Sequence, residues 1–229
     1  MSYLTPEQHK IVSDAVGEAE LNTSGEILTV LADRSDGYTD IALWWSLAAS
    51  FTIMSIFAVL PQPFLDLWDD LVVAAFFGGW QHDWTTGELA SATIALGLLS
   101  FTIAMVIQLW EPLKFAAIPS PVKTTRVHNQ AIKHFKVGAD GRTGGRTGIL
   151  IYLSMQEHRA EIVADEPIAE KVSAEIWGEA MADMLRHIKD GRIAEGMAAG
   201  VKDVGFVLSQ HFPRADDDEN ELPDRLIEV

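Results

Sequence analysis

The run Gly138–Gly148, GADGRTGGRTG, is the stretch of this chain whose residue types come nearest to a phosphate cradle. Glycines let backbone N–H groups close around an anion, and Arg142 and Arg146 could add guanidinium contacts. A P-loop, however, runs from strand through glycine loop to helix, so that a helix N-terminus faces the phosphate. Here the expected order is helix, loop, strand, and the closing Gly-Lys-Ser/Thr is missing. The run therefore reads chiefly as a connection whose glycines permit tight turning. As an anion contact, Arg146, which abuts the following strand, ranks ahead of Arg142. Other chemistries find less support. The histidines show no metal-ligand spacing, with His128 and His134 six apart and His82 remote from both. No serine stands in a Gly-x-Ser-x-Gly context. The absence of cysteine removes disulfides and thiolate metal sites. No catalytic residue is identified.

A net charge of −16 argues against nucleic acid, whose phosphates would be repelled. The charge is unevenly spread. Ile41–Leu65 carries none, and neither does 89–110. About 20 apolar residues at 1.5 Å each cross a hydrocarbon core of roughly 30 Å. Six of the seven tryptophans fall between 44 and 110, with Trp44 and Trp45 opening the first stretch and Trp110 closing the second. Indole favours the bilayer interface. The expectation is a transmembrane hairpin over 41–112 with an outer loop at 62–87; a pair of buried core helices is the alternative. Neither span holds an ionisable residue, which speaks against transport. Ser46 and Ser50, with Ser91 and Ala95, supply small faces for close helix packing or for homo-oligomerisation. The outer loop has no Lys or Arg, whereas Arg34, Lys114, Lys123 and Arg126 flank the spans, so both termini are expected in the cytoplasm. Within the loop, Leu71–Trp80 is too short to cross and reads either as an interfacial piece or as an apolar loop packed on the helix ends. The first residues show no cleaved-presequence pattern.

The flanking sequence supplies the elements that must position any site. Thr5-Pro6-Glu7-Gln8 opens a helix with a capping box and runs to about Leu21. Glu26–Ala32 is a buried strand, ended by a turn at Asp33–Gly37. After the spans come a helix over Val122–Val137, the glycine run, and a strand over Ile149–Ser154. Glu157-His158 turns the chain into a third strand, Arg159–Ala164. Pro167 starts one long helix that stops at Asp190-Gly191. A last helix spans Ile193 to about His211, where Gly196 and Gly200 are expected to allow close approach to the sheet. Residues 214–229 read as a flexible acidic tail. One strand before the insertion and two after it must share one sheet, because a lone strand cannot satisfy its backbone. Residues 1–40 and 123–213 therefore form one soluble α/β domain.

GRTGILIYLS, a short turn, AEIVADEPIAEKV, and a later helix with GMAAGV resemble the TPM domain, in a bacterial membrane-anchored branch. The resemblance covers roughly 5–40 and 123–213. It implies a small three-layer α/β/α sandwich, here interrupted by the two-helix hairpin, and a bacterial inner-membrane location. Family members include acid phosphatases, calcium binders, and proteins of membrane-protein assembly or repair. The family's acidic cleft maps onto Asp33 and Asp165, each at a strand end, with Glu166 as a further ligand. Two or three such carboxylates suit calcium or magnesium; the residues alone read Asp33 and Asp165 first as turn-formers, and Glu166 could equally be a first-turn glutamate. Two functions follow as expectations. One is a binding or membrane-protein quality-control module on the cytoplasmic face, with or without a divalent cation and with the bilayer and membrane proteins as partners. The other is a metal-dependent acid phosphatase built on Asp33 and Asp165.

Overall fold

The computed structural model describes residues 3–68, 84–138, 147–215 and 220–229, of Ala174 the backbone only. The chain divides into two compact units, one made of 1–36 with 119–229 and the other of 37–118. The Leu71–Trp80 segment, His82, Arg142 and Arg146 lie outside the described residues.

The first unit begins with α1, Pro6–Glu20. Thr5 caps it: its hydroxyl accepts the Gln8 N–H at 3.3 Å, while Gln8 Oε1 accepts the Thr5 N–H at 2.9 Å. That is the reciprocal capping box the spacing predicts. Strand β1, Glu26–Ala32, and β2, Gly148–Ser154, pair in parallel with Ile27 against Ile149 and Ala32 against Ser154. Both are buried at every position, which is why they read as continuous apolar runs rather than alternating ones. Strand β3, Arg159–Ala164, pairs antiparallel to β2 after the turn Met155–His158, in which His158 takes a positive φ of 52°.

One face of the sheet packs Ile27, Leu31, Ile149, Ile151 and Leu153 against α1 and against two later helices introduced below. The other face packs Leu28, Val30, Leu150 and Tyr152 against Val127, Ala131 and Phe135 of a helix over Ser120–Gly138. Helices thus cover both faces of a mixed sheet.

Three expectations are corrected here. The helix expected from Pro167 is two: Glu166–Lys171 and Ala174–Lys189, broken at Val172-Ser173. Val172 is extended and buried, and Ser173 takes the N-cap position that serine favours. Gly196, in the helix Ile193–His211, approaches not the sheet but the preceding helix: a Cβ there would stand 2.8 Å from the Met184 carbonyl oxygen. Gly200 likewise faces Met184. The tail is not wholly loose, because Leu226–Glu228 forms β4, parallel to β1, completing the order β3-β2-β1-β4. Leu226 is buried there, and β1 gains a partner for its second edge.

The second unit contains helices Thr39–Val59, Gln62–Trp68, Thr86–Ile107 and Glu111–Ala117. Among the described residues the helices in chain order are α1, α2 to α5 (these four), α6 (Ser120–Gly138), α7 (Glu166–Lys171), α8 (Ala174–Lys189) and α9 (Ile193–His211). α2 and α4 are long and apolar enough to cross a membrane. They pack through buried Ser46 and Ser50 on α2 and Gly97 and Ser100 on α4. Ser91 and Ala95, the small face expected on α4, are exposed. The Ser50 hydroxyl donates to the Gly97 carbonyl at 2.8 Å. Just past the C-terminus of α4, the Gln108 amide donates to Ala42 O and Ser46 Oγ, both at 3.0 Å. Tyr38 enters α2 with φ 50°, fully buried, its ring edge-on to Phe115.

Candidate functional site

In open α/β sheets, sites form beyond the carboxyl ends of parallel strands. Here that place lies between the Asp33–Asp36 loop after β1 and the Met155–His158 turn after β2. A chain of hydroxyls occupies it. Tyr152 OH lies 3.1 Å from Ser35 Oγ, and Ser35 Oγ donates to Ser154 Oγ at 3.0 Å. Ser154 Oγ in turn donates to Glu157 Oε2. The Ser35 N–H donates to the other Glu157 oxygen at 2.9 Å. Tyr152, Ser154 and Glu157 are buried, while Ser35 is half-buried. Burial raises the Tyr152 phenol above its ordinary pKa. His134 of α6 stacks on the Tyr152 ring at 5.6 Å, and burial lowers the pKa of that imidazole.

Around this core lie charged groups. Arg126 of α6 donates to Asp36. Asp33 accepts from the Tyr3 hydroxyl, lies 3.5 Å from the Gln156 amide nitrogen, and has Arg34 Nε at 3.5 Å. A hydroxyl has little basicity, so relaying a Ser35 proton through Ser154 is a poor way to make a nucleophile. What the network does well is hold two loops together: the Ser35 N–H and hydroxyl reach Tyr152, Ser154 and Glu157, and the Ser154–Glu157 bond closes the turn after β2. The result is a pinned surface with one hydroxyl and several charges at its rim.

Asp165 is not part of this site. It sits at the opposite end of the sheet, where its N–H donates to Gly148 O and its Oδ2 accepts the Gly148 N–H, both at 2.9 Å. Glu166, its neighbour, lies in the first turn of α7. The physical reason is strand direction. β3 is antiparallel to β2, so its carboxyl end lies beside the amino end of β2, level with the amino end of β1. Seven residue steps of about 3.3 Å along the strands put Asp33 and Asp165 at least about 23 Å apart. Two carboxylates so separated cannot share an ion with ligand distances near 2.3–2.6 Å. Among the described residues, no three His, Cys, Asp or Glu side chains are grouped to hold a metal ion. The residues that do meet, Ser35, Tyr152, Ser154 and Glu157, were not singled out in the sequence. One signal was available: Ser154 and Glu157 have the Ser-x-x-Glu spacing at which a hydroxyl and a carboxylate close a turn locally.

Comparison with known proteins bears on residues 120–206, which match the family model of the TPM domain. This match runs from α6 into α9 and leaves out α1, β1 and the second unit. No curated protein matches the chain. Among solved structures, the chain is similar to the NMR structure of the BA42 protein from the psychrophilic bacterium Bizionia argentinensis, with a TM-score of 0.56 and 18% identity. That similarity covers 100% of this chain and 97% of the other, and at such identity it concerns the fold alone.

Proposed function

We propose that this chain is a membrane-anchored α/β module whose second unit crosses the bilayer as a helical hairpin, and whose first unit binds partners at the cytoplasmic face. The carrying observation is the exposure of α2 and α4. Their 21 and 22 residues span about 31 and 33 Å, matching a hydrocarbon core. Only 22% and 11% of their most apolar windows is buried. Trp44 is 70% exposed, and Phe51 and Leu98 65% each. A core helix of a water-soluble domain hides such side chains, whereas lipid solvates them. The basic flanks favour cytoplasmic termini. The TPM match supports a module of that family's kind, with membrane-protein quality control as the role in view. The metal-dependent phosphatase reading draws no support from the separated Asp33 and Asp165.

Carbonate washing of membranes from expressing cells tests the anchor: the protein should stay in the pellet and leave it only with detergent. Release into the wash as a monodisperse species would overturn the reading. An alkaline phosphatase fusion within 69–83 tests orientation, and should be active if that segment lies outside the cytoplasm.

A further inference from the structure

We propose that residues 220–229 form a strap whose seating on β1 requires Glu20 to carry its proton. The strap is held by carboxylates at both ends. At its start, Glu26 accepts the N–H groups of Glu221 at 3.3 Å and Leu222 at 3.1 Å. At its far end, Glu228 accepts the Tyr3 and Leu4 N–H groups, each at 3.1 Å, and lies 2.9 Å from His9 Nε2. Between them Leu222 and Leu226 are buried. Val229 closes the ladder, donating to Leu31 O at 3.0 Å and accepting from the Asp33 N–H at 2.9 Å.

Beneath the strap sits Glu20, the last residue of α1, 9% exposed. Its Oε1 accepts the Ile27 N–H at 2.8 Å, and its Oε2 is buried without a hydrogen-bonding partner. Two further carboxyls face it: Glu26 from β1 and Asp224 from the strap. Asp224 comes this close because residue 17 is glycine; a Cβ there would stand 3.0 Å from Asp224 Oδ2. A proton on Glu20 makes the group neutral and turns Oε2 into a donor towards Asp224. Burial, reinforced by the two neighbouring acids, pushes the Glu20 carboxyl up to about 8. Once Glu20 loses that proton to solvent, it repels Asp224. Glu20 and Glu26 belong to α1 and β1, whereas Asp224 rides on the strap, so the strap is what yields. Its release uncovers the Thr29–Asp33 edge of β1, a row of unpaired backbone groups suited to pairing with another strand.

The test is hydrogen exchange on the full chain in detergent or nanodiscs, read as protection factors after division by the intrinsic rate. Protection of 226–229, and of the Asp33 N–H, should fall at least tenfold between pH 6 and 9. Glu20→Gln keeps an acceptor for Ile27 but has no proton to lose, and should hold protection constant. Asp224→Asn, a milder change should Glu20→Gln not fold, offers an amide donor to ionised Glu20 and should do the same. Loss in the wild type with constant protection in either variant supports the strap. A constant wild-type profile, or wild-type-like loss in both variants, overturns it.

Discussion

Glu157 receives two donors in a turn of four residues, and the loop after β1 closes on those same oxygens. Truncation by Glu157→Ala would orphan the Ser35 N–H and the Ser154 hydroxyl, at about 1–3 kcal/mol for each buried donor left unmet. A drop of that order in thermal or denaturant stability is the expected result, with Ser35→Ala distinctly milder because its main-chain donor survives. Glu20 carries a pH prediction for the whole fold. Its carboxyl titrates near 8 when folded and near 4.5 when unfolded, so the folded state holds the extra proton between those values. Its contribution is therefore fully present below about 4.5 and is lost as pH rises towards 8, at about 1.4 kcal/mol per pH unit for one proton. Denaturant titrations at pH 5 to 9 should show that decline, and Glu20→Gln should remove it. In the sequence Glu157 shows only its Ser-x-x-Glu spacing, and Glu20 shows nothing. Glu20 ends an amphipathic helix as any surface glutamate would, and the groups that act on it in the fold include Ile27 and Asp224, the latter 204 positions away in the chain.

Helices in the first unit meet through glycines that leave no room for a methyl group. A Cβ at Gly196 would lie 2.8 Å from the Met184 carbonyl oxygen, and one at Gly205 would lie 2.5 Å from Ala19 Cβ. Neither neighbour is the flexible end of a side chain. Gly196→Ala and Gly205→Ala should therefore destabilise by about 1–3 kcal/mol, although alanine in an open helix would gain about 1 kcal/mol. Gly178, with open space around its missing Cβ, is the control, and Gly178→Ala should stabilise. The periodicity located these helices well, because an apolar stripe reports which face is buried. It does not report what the stripe is buried against, and the partner of Gly196 is α8 rather than the sheet. Nor did it find the break at Val172-Ser173, since a short kink leaves the stripe nearly in phase.

At the level of the whole chain, the first unit has a core on both faces of its sheet, built from 1–36 and 119–229. Replacing 37–118 with a flexible Gly/Ser linker of about 8–12 residues should yield a folded protein that needs no detergent, checked by circular dichroism and sedimentation. Failure to fold would mean that the second unit supplies stability as well as an anchor. Local pattern was enough to establish the capping of α1, the buried strands β1 and β2, the third strand β3, the last helix, and two uncharged runs long enough for a bilayer, because each of these is written in neighbouring residues. It also implies the hairpin after β2, and with it an antiparallel β3, whose carboxyl end and Asp165 therefore lie at the opposite end of the sheet from Asp33. Other features could emerge only when remote segments met. The β4 pairing hides in an acidic tail, since three strand residues have no periodicity to detect and gain their order from the open edge of β1. The grouping of Ser35 with Tyr152, Ser154 and Glu157 depends on strand direction and register, which bring residues more than a hundred positions apart within 3.1 Å.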